Sequence, residues 1–286
     1  MAEPVSRTLI ESLEDRWKRF RKELKALRRD LTVDAVHDER TACRRLLSVL
    51  GVLEPLVGRK RVRAPRRELK RVLRALGPLR DVHIELERAK RLRGDPRIPR
   101  FREYLRGQGR ELEKKAARRA DRVRPAKLRA SLRRIEKRLE GARSSPRLLD
   151  AIDTDFSMLL DERRSLDLTD VKTVHRLRVA VKKFRYDVEA LRPLLRGFER
   201  RRLEQLHRLQ DLLGDLHDLE VMSASYRDFT RKEGRKGVPQ VLPLQKYLLE
   251  RHHEELRKAV GTADRIFEFW QRWARRGAAR LRRDPA

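Results

Sequence analysis

His37, Arg40 and Arg44 stand three and then four residues apart, and His175, Arg178 and Lys182 repeat that spacing with the same kinds of side chain. On a helix, such spacing brings the three side chains within about sixty degrees of one another. An imidazole beside two cations brings no carboxylate with it. The chemistry it offers is anion binding, by charge-assisted hydrogen bonds that arginine delivers in forked pairs to phosphate oxygens. Histidine adds a donor whose charge depends on pH. An adjacent polyanion favours the imidazolium, so binding is expected to strengthen as pH falls through the histidine titration.

The stripe belongs to a longer internal repeat. Residues Val36 to Arg45 and Val174 to Lys183 share the pattern V-H-x-x-R-x-A-x-(K/R)-(K/R). Leu53, Pro55 and Leu56 recur as Leu191, Pro193 and Leu194 in the same register, and Leu76-Gly77-Pro78-Leu79-Arg80-Asp81 returns as Leu213-Gly214-Asp215-Leu216-His217-Asp218, shifted by one residue. A repeat this long indicates two related halves, not a stacked solenoid. Drift would keep apolar identity and let exposed cations scatter. Histidine and cations retained at identical offsets therefore favour a ligand site over an ordinary solvated face. Lys70 and Arg74 in the first half, with His207 and Arg208 in the second, lie on the helices before the glycine element and are candidates for the same groove. Asp81 and Asp218 are expected to cap a helix or hold the neighbouring cation.

Composition narrows the partner. The 286 residues carry 75 Lys+Arg against 44 Asp+Glu, a formal net charge of +31, and the sequence pI is about 11.3. Such a chain attracts polyanions: nucleic acid, anionic lipid or polymeric phosphate. It does not read as a disordered basic tail, because 39% of its residues are hydrophobic and they recur at helical spacing. The single cysteine, Cys43, excludes an intrachain disulfide framework and fits a reducing cytoplasm. Glu11, Glu14 and Asp15 interrupt the first seventeen residues, so no signal-peptide core is expected there. The most apolar run, Leu46 to Val57, is too short to span a bilayer. A soluble cytoplasmic protein is the expectation.

The elements that must position these residues all read as helix. Leu9, Leu13, Trp17, Phe20, Leu24 and Leu27 make one buried stripe over 8–29. A second helix is predicted from about Asp34, as N-cap, to Gly58; a third from Pro65 to Leu76, closed by Gly77; and a fourth over 79–93, stopped by Gly94-Asp95-Pro96. Charged helices follow over 100–121 and 125–140. Gly141 to Pro146 is the best internal boundary. The second half repeats the order, over 147–163, 170–196, 199–213, 215–232 and 239–280 with a break near Gly261. No segment shows the alternation of a strand. The expected fold is all-α: two homologous helical bundles, 5–140 and 146–283, packed as one unit over 5–283.

The doubled H-x-x-R-x-A-x-(K/R)-(K/R) helix, followed each time by an LGxxRD-type element (LGPLRD and LGDLHD), resembles the CHAD domain, the conserved histidine α-helical domain. Lys182-Lys183-Phe184-Arg185-Tyr186 is similar to that family's KKxRY segment. The resemblance covers nearly the whole chain, to the Phe269-Trp270 region. It implies two bundles related by pseudo-twofold symmetry around a basic central cleft or channel that binds inorganic polyphosphate. Carried over residue by residue, it assigns that role to His37, Arg40, Arg44, Arg45 and Arg80, and to His175, Arg178, Lys182, Lys183, Arg185 and His217. Two departures stand out: Arg80 corresponds to His217, and Asp38-Glu39 place two acids beside the first histidine. The family also implies a binding protein without catalysis, which at polyphosphate or storage-polymer granules would act as a coat.

Other readings are weighed on the same residues. Non-specific nucleic-acid binding at low salt follows from charge alone, but 5% aromatic residues leave few platforms for stacking bases. Glu85-Leu86-Glu87-Arg88-Ala89-Lys90 approximates the ExExK strand of triphosphate tunnel enzymes, but its lysine is one position late and the segment reads as helix. Glu204-x-x-His207 and Glu250-x-x-His253 have the spacing of bundle metal sites, but the surplus of cations makes them surface pairs instead. Cys43 reads as a packed thiol. No enzyme activity, metal or cofactor is expected.

Overall fold

A computed structural model describes residues 4–93, 96–140, 147–167, 170–195, 198–232, 254, 258, 267–273 and 275. Helix α1 (Pro4–Arg29) buries the predicted stripe from Leu9 to Leu27. Helix α2 (Val33–Val57) carries the first histidine motif. Its N-cap is Thr32, whose Oγ1 accepts a hydrogen bond from the Ala35 amide at 3.1 Å; Asp34 falls in the first turn, where its charge favours the positive end of the helix. Gly58, at φ 87°, ends α2 with its amide donating to Glu54 O at 2.9 Å, and α3 (Arg59–Arg91) begins at the next residue. So tight a turn sends α3 back along α2.

The predicted break at Gly77 is absent, and α3 runs through Gly77 and Pro78 as one helix. Leu69, Val72, Leu76, Leu79 and Val82 are buried on both sides of that point, and Arg40 of α2 donates from Nη1 to Leu73 O at 3.1 Å. Burial on both sides of the predicted break offsets the helix-breaking cost of proline, and the Arg40 bond fixes the turn before it to α2. Helices α4 (Ile98–Arg122) and α5 (Pro125–Glu140) complete the first half. In the second half, α6 (Arg147–Arg164) leads to α7 (Val171–Leu191), capped by Asp170, whose side chain accepts from the Lys172 amide. A 3₁₀ turn, Arg192–Leu194, follows in place of the predicted extension to 196. Helix α8 (Arg200–Lys232) passes through Gly214 without a break, again against the prediction of two helices. The boundary at 141–146 and most of the predicted C-terminal helix lie outside the described residues; within the latter, 267–273 is helical, with Phe267, Trp270 and Trp273 buried.

The all-α expectation holds among the described residues. The main core joins Leu13, Leu46 and Leu50 from the first half with Phe184, Leu206 and Trp270 from the second. A smaller core joins Phe101 and Leu105 of α4 with Met222, Tyr226 and Phe229 of α8. The two motif helices pack directly on each other, α2 against α7, while α3 touches α8. No helix among the described residues is long and apolar enough to cross a membrane.

Candidate functional site

Because α2 lies on α7, the two repeated stripes meet. Arg44 acts electrostatically on both Arg178 and Lys182, and Arg40 acts on Lys182. Helix α3 adds Arg80 and Asp81 to this cluster, and α8 adds His217 and Asp218. The His175 and His217 rings stand 5.5 Å apart, with His175 exposed. Arg40, Arg44, Arg80, Arg178 and Lys182 are all half-buried, yet none forms an ion pair at bonding distance with a described carboxylate.

Their protonation equilibria carry the mark of this crowding. Burial, then Arg44, draws the Arg40 guanidinium down to about 10. Burial also lowers Arg178, against the pull of Asp218. Lys182 is drawn down to about 6, by burial first and then by Arg44, Arg178, Arg40 and Arg185. Burial and Arg178 hold His217 down at about 4, and burial with Arg80 lowers His37. Asp81 and Asp218 are raised by burial although arginines surround both. Neither caps a helix. Each is a mid-helix counter-charge: Asp81 acts on Arg40 and Arg178, and Asp218 on Arg178, besides accepting from Arg88 Nη2 at 3.4 Å. Half-buried cations short of partners cost free energy that a bound anion would recover.

Other predicted residues are engaged within the protein. Lys183 pairs with Asp155 and, at 3.0 Å, with Asp187, which also accepts from Ser48 of α2. Arg185 is buried, donates to Gln210 at 2.7 Å, Glu189 at 3.0 Å and His207 Nε2 at 2.7 Å, and lies over the Tyr186 ring. Arg45 pairs with the same Glu189 at 2.9 Å. Arg45, Arg185, Glu189 and His207 thus form a polar knot that ties α2, α7 and α8 together. Arg208 is exposed on α8. Lys70 and Arg74 line a groove of about 770 Å³ along α3, together with Arg59, Arg63, Arg66 and Arg67, which sequence reasoning did not single out. The signal was present, as cations three or four residues apart from 59 to 74, but no counterpart in the second half marked it.

The remaining motifs behave as ordinary structure. Asp38 faces Arg19 at 3.5 Å, and the fully buried Glu39 accepts from Cys43 Sγ at 3.7 Å. Burial raises that thiol well above its usual range, so Cys43 is a packed residue. Glu204 pairs with Arg200, and His207 sits on Arg185; Glu250 and His253 lie outside the described residues. No group of three metal-ligating side chains occurs among the described residues. Glu85 to Lys90 are helical, as expected.

The model of the CHAD domain matches residues 11–227. No curated protein matches the chain. Among solved structures, the CHAD domain from the plant Ricinus communis aligns with a TM-score of 0.72 at 18% identity, covering 91% of this chain and 92% of that one. PptA from Streptomyces chartreusis aligns with a TM-score of 0.60 at 20% identity, covering 94% of this chain and 100% of that one. At such identities the likeness is one of fold.

Proposed function

The chain belongs to the CHAD-domain family, and we propose that it binds inorganic polyphosphate at the junction of its two halves, without chemical turnover. The observation that carries this reading is the set of half-buried basic side chains contributed by both repeats, Arg40 and Arg44 facing Arg178 and Lys182, with no carboxylate at bonding distance among the described residues. Polyphosphate is a linear polyanion with no base to read. It suits a basic cleft between two related halves, and arginine forks match its oxygens. His37, His175, His217 and Arg80 border the cluster and extend the donor set; the repeat's pseudo-twofold relation would let one chain contact both stripes. Asp81 and Asp218 are held as counter-charges to arginine, which leaves them poorly suited to holding a catalytic cation. In the cell, such a site would place the protein on polyphosphate or storage-polymer granules.

Two experiments test the reading. In competition at physiological salt, long-chain polyphosphate is expected to displace duplex DNA and RNA from the protein; preferential displacement by nucleic acid would make it a non-specific nucleic-acid binder instead. Replacing Arg40, Arg44, Arg178 and Lys182 with alanine is expected to lower polyphosphate affinity by orders of magnitude, since each charge-assisted bond is worth about 1.5–3 kcal/mol. The control removes Arg118, Arg122, Arg133 and Arg134, exposed on α4 and α5. Arg119 is unsuitable there because it pairs with Glu68. Equal losses from two folded variants would leave only long-range attraction.

A further inference from the structure

The groove along α3 is the feature that the central cluster does not absorb. Arg59, Arg63, Arg66, Arg67, Lys70 and Arg74 line it, with Glu54 of α2 the one acid among its lining residues. Glu54 is already paired with Arg66. The other five cations are exposed and have no carboxylate partner among the described residues. At 1.5 Å per residue, the stripe from Arg59 to Arg74 runs for about 22 Å along the helix. Its inner end reaches the central cluster: Leu73 lines the groove, and the carbonyl of Leu73 accepts from Arg40.

Among the described residues, the second half has no equivalent. In the register that aligns Gly77 with Gly214, positions 59, 63, 66, 67, 70 and 74 correspond to Arg196, Arg200, Leu203, Glu204, His207 and Asp211. Of these, Arg200 is paired with Glu204, and His207 is bonded to Arg185.

We infer that the α2–α3 groove is an extended polyphosphate subsite, in which a long chain leaves the central cluster on the first-half side only, so that affinity depends on chain length and the bound chain takes one exit path. This rests on the polyphosphate reading proposed above. A ligand short enough to fill the central cluster has no use for the groove. A longer chain places successive phosphates against Arg74, Lys70, Arg67 and Arg63, adding charge-assisted contacts without a second association step.

The test compares the full chain, a groove variant (Arg63→Ala, Arg67→Ala, Lys70→Ala, Arg74→Ala) and the α4–α5 control, each titrated with inorganic tripolyphosphate and with long-chain polyphosphate. The groove variant is expected to lose about tenfold or more of its long-chain affinity, while its tripolyphosphate affinity and the control's behaviour with both ligands stay near those of the full chain. Unchanged long-chain binding by the groove variant, or an equal loss by the control, overturns the subsite. So does an equal loss for both ligands, which would make the groove the primary site. If the unaltered chain binds neither ligand, it is the functional reading that fails. Should the quadruple variant lose helicity, the pairs Arg63→Ala/Arg67→Ala and Lys70→Ala/Arg74→Ala carry the same comparison.

Discussion

Lys182 is the residue on which the behaviour of the site turns. Its amine, drawn down to about 6 by burial and four arginines, is mostly neutral at neutral pH in the free protein. A polyanion placed against it favours the ammonium and raises its pKa, so binding takes up a proton at any pH between the free and bound values. Affinity should therefore fall as pH rises above about 6, by up to about tenfold per pH unit for a single linked proton. The window differs from the one that histidine chemistry suggests. His217 is held at about 4 and His37 is also lowered, so these two rings contribute at more acidic pH. Calorimetry in buffers of different ionisation enthalpy measures the proton uptake directly. Lys182→Met should flatten the slope between pH 6 and pH 8; a slope that survives this substitution would assign the proton to another group. Without ligand, the same amine makes the unfolded chain the better proton acceptor, so its contribution to stability grows as pH rises through that window.

At the scale of elements, the sequence is legible where local pattern and packing agree. The α1 stripe, the α5 boundaries and the paired cation stripes of α2 and α7 follow from spacing alone. It misleads at Gly77 and Gly214, where a helix-stop residue sits inside a continuous helix. Glycine costs a helix interior only about 1 kcal/mol, and what overrides it, buried leucines and Arg40, belongs to other turns and another helix. The same distance in sequence hid which cations were already paired, since Asp155, Gln210 and Glu189 lie on different elements from Lys183, Arg185 and Arg45 or turns away from them. The two glycines differ in their surroundings, which gives a paired prediction. A Cβ at Gly77 would stand 3.2 Å from Arg40 Nη1, whereas one at Gly214 meets nothing within 4 Å. Gly214→Ala should raise stability by about 0.5–1 kcal/mol in urea denaturation with polyphosphate affinity unchanged. Gly77→Ala should displace Arg40 and weaken polyphosphate binding, with a smaller gain in stability or none. Equal binding by the two variants would separate Gly77 from the site.

For the whole molecule, the question is whether the halves fold as one unit, as a site built at their junction requires. The main core draws side chains from both halves, and α2 packs on α7 along the motif helices. Polar ties cross the same junction: Ser48 donates to Asp187, and Arg45 pairs with Glu189, which also accepts from the buried Arg185. Neither half could leave the other without exposing apolar surface and stranding these charges, so unfolding should be a single cooperative transition. The tryptophans report on the halves separately, with Trp17 in α1 and Trp270 and Trp273 against the second-half core. Fluorescence of a Trp17-only variant and of a variant keeping only Trp270 and Trp273 should give coincident urea midpoints, matching circular dichroism. Glu189→Ala sharpens the test. It leaves Arg185 buried without its carboxylate and Arg45 without its partner across the junction, which should cost about 2–3 kcal/mol. In a single unit that loss lowers both tryptophan midpoints by the same amount, and bound polyphosphate, contacting both halves, raises both together. A shift confined to Trp270 and Trp273 would mean that the halves unfold independently, and the junction could not then be the rigid platform that the proposed site needs.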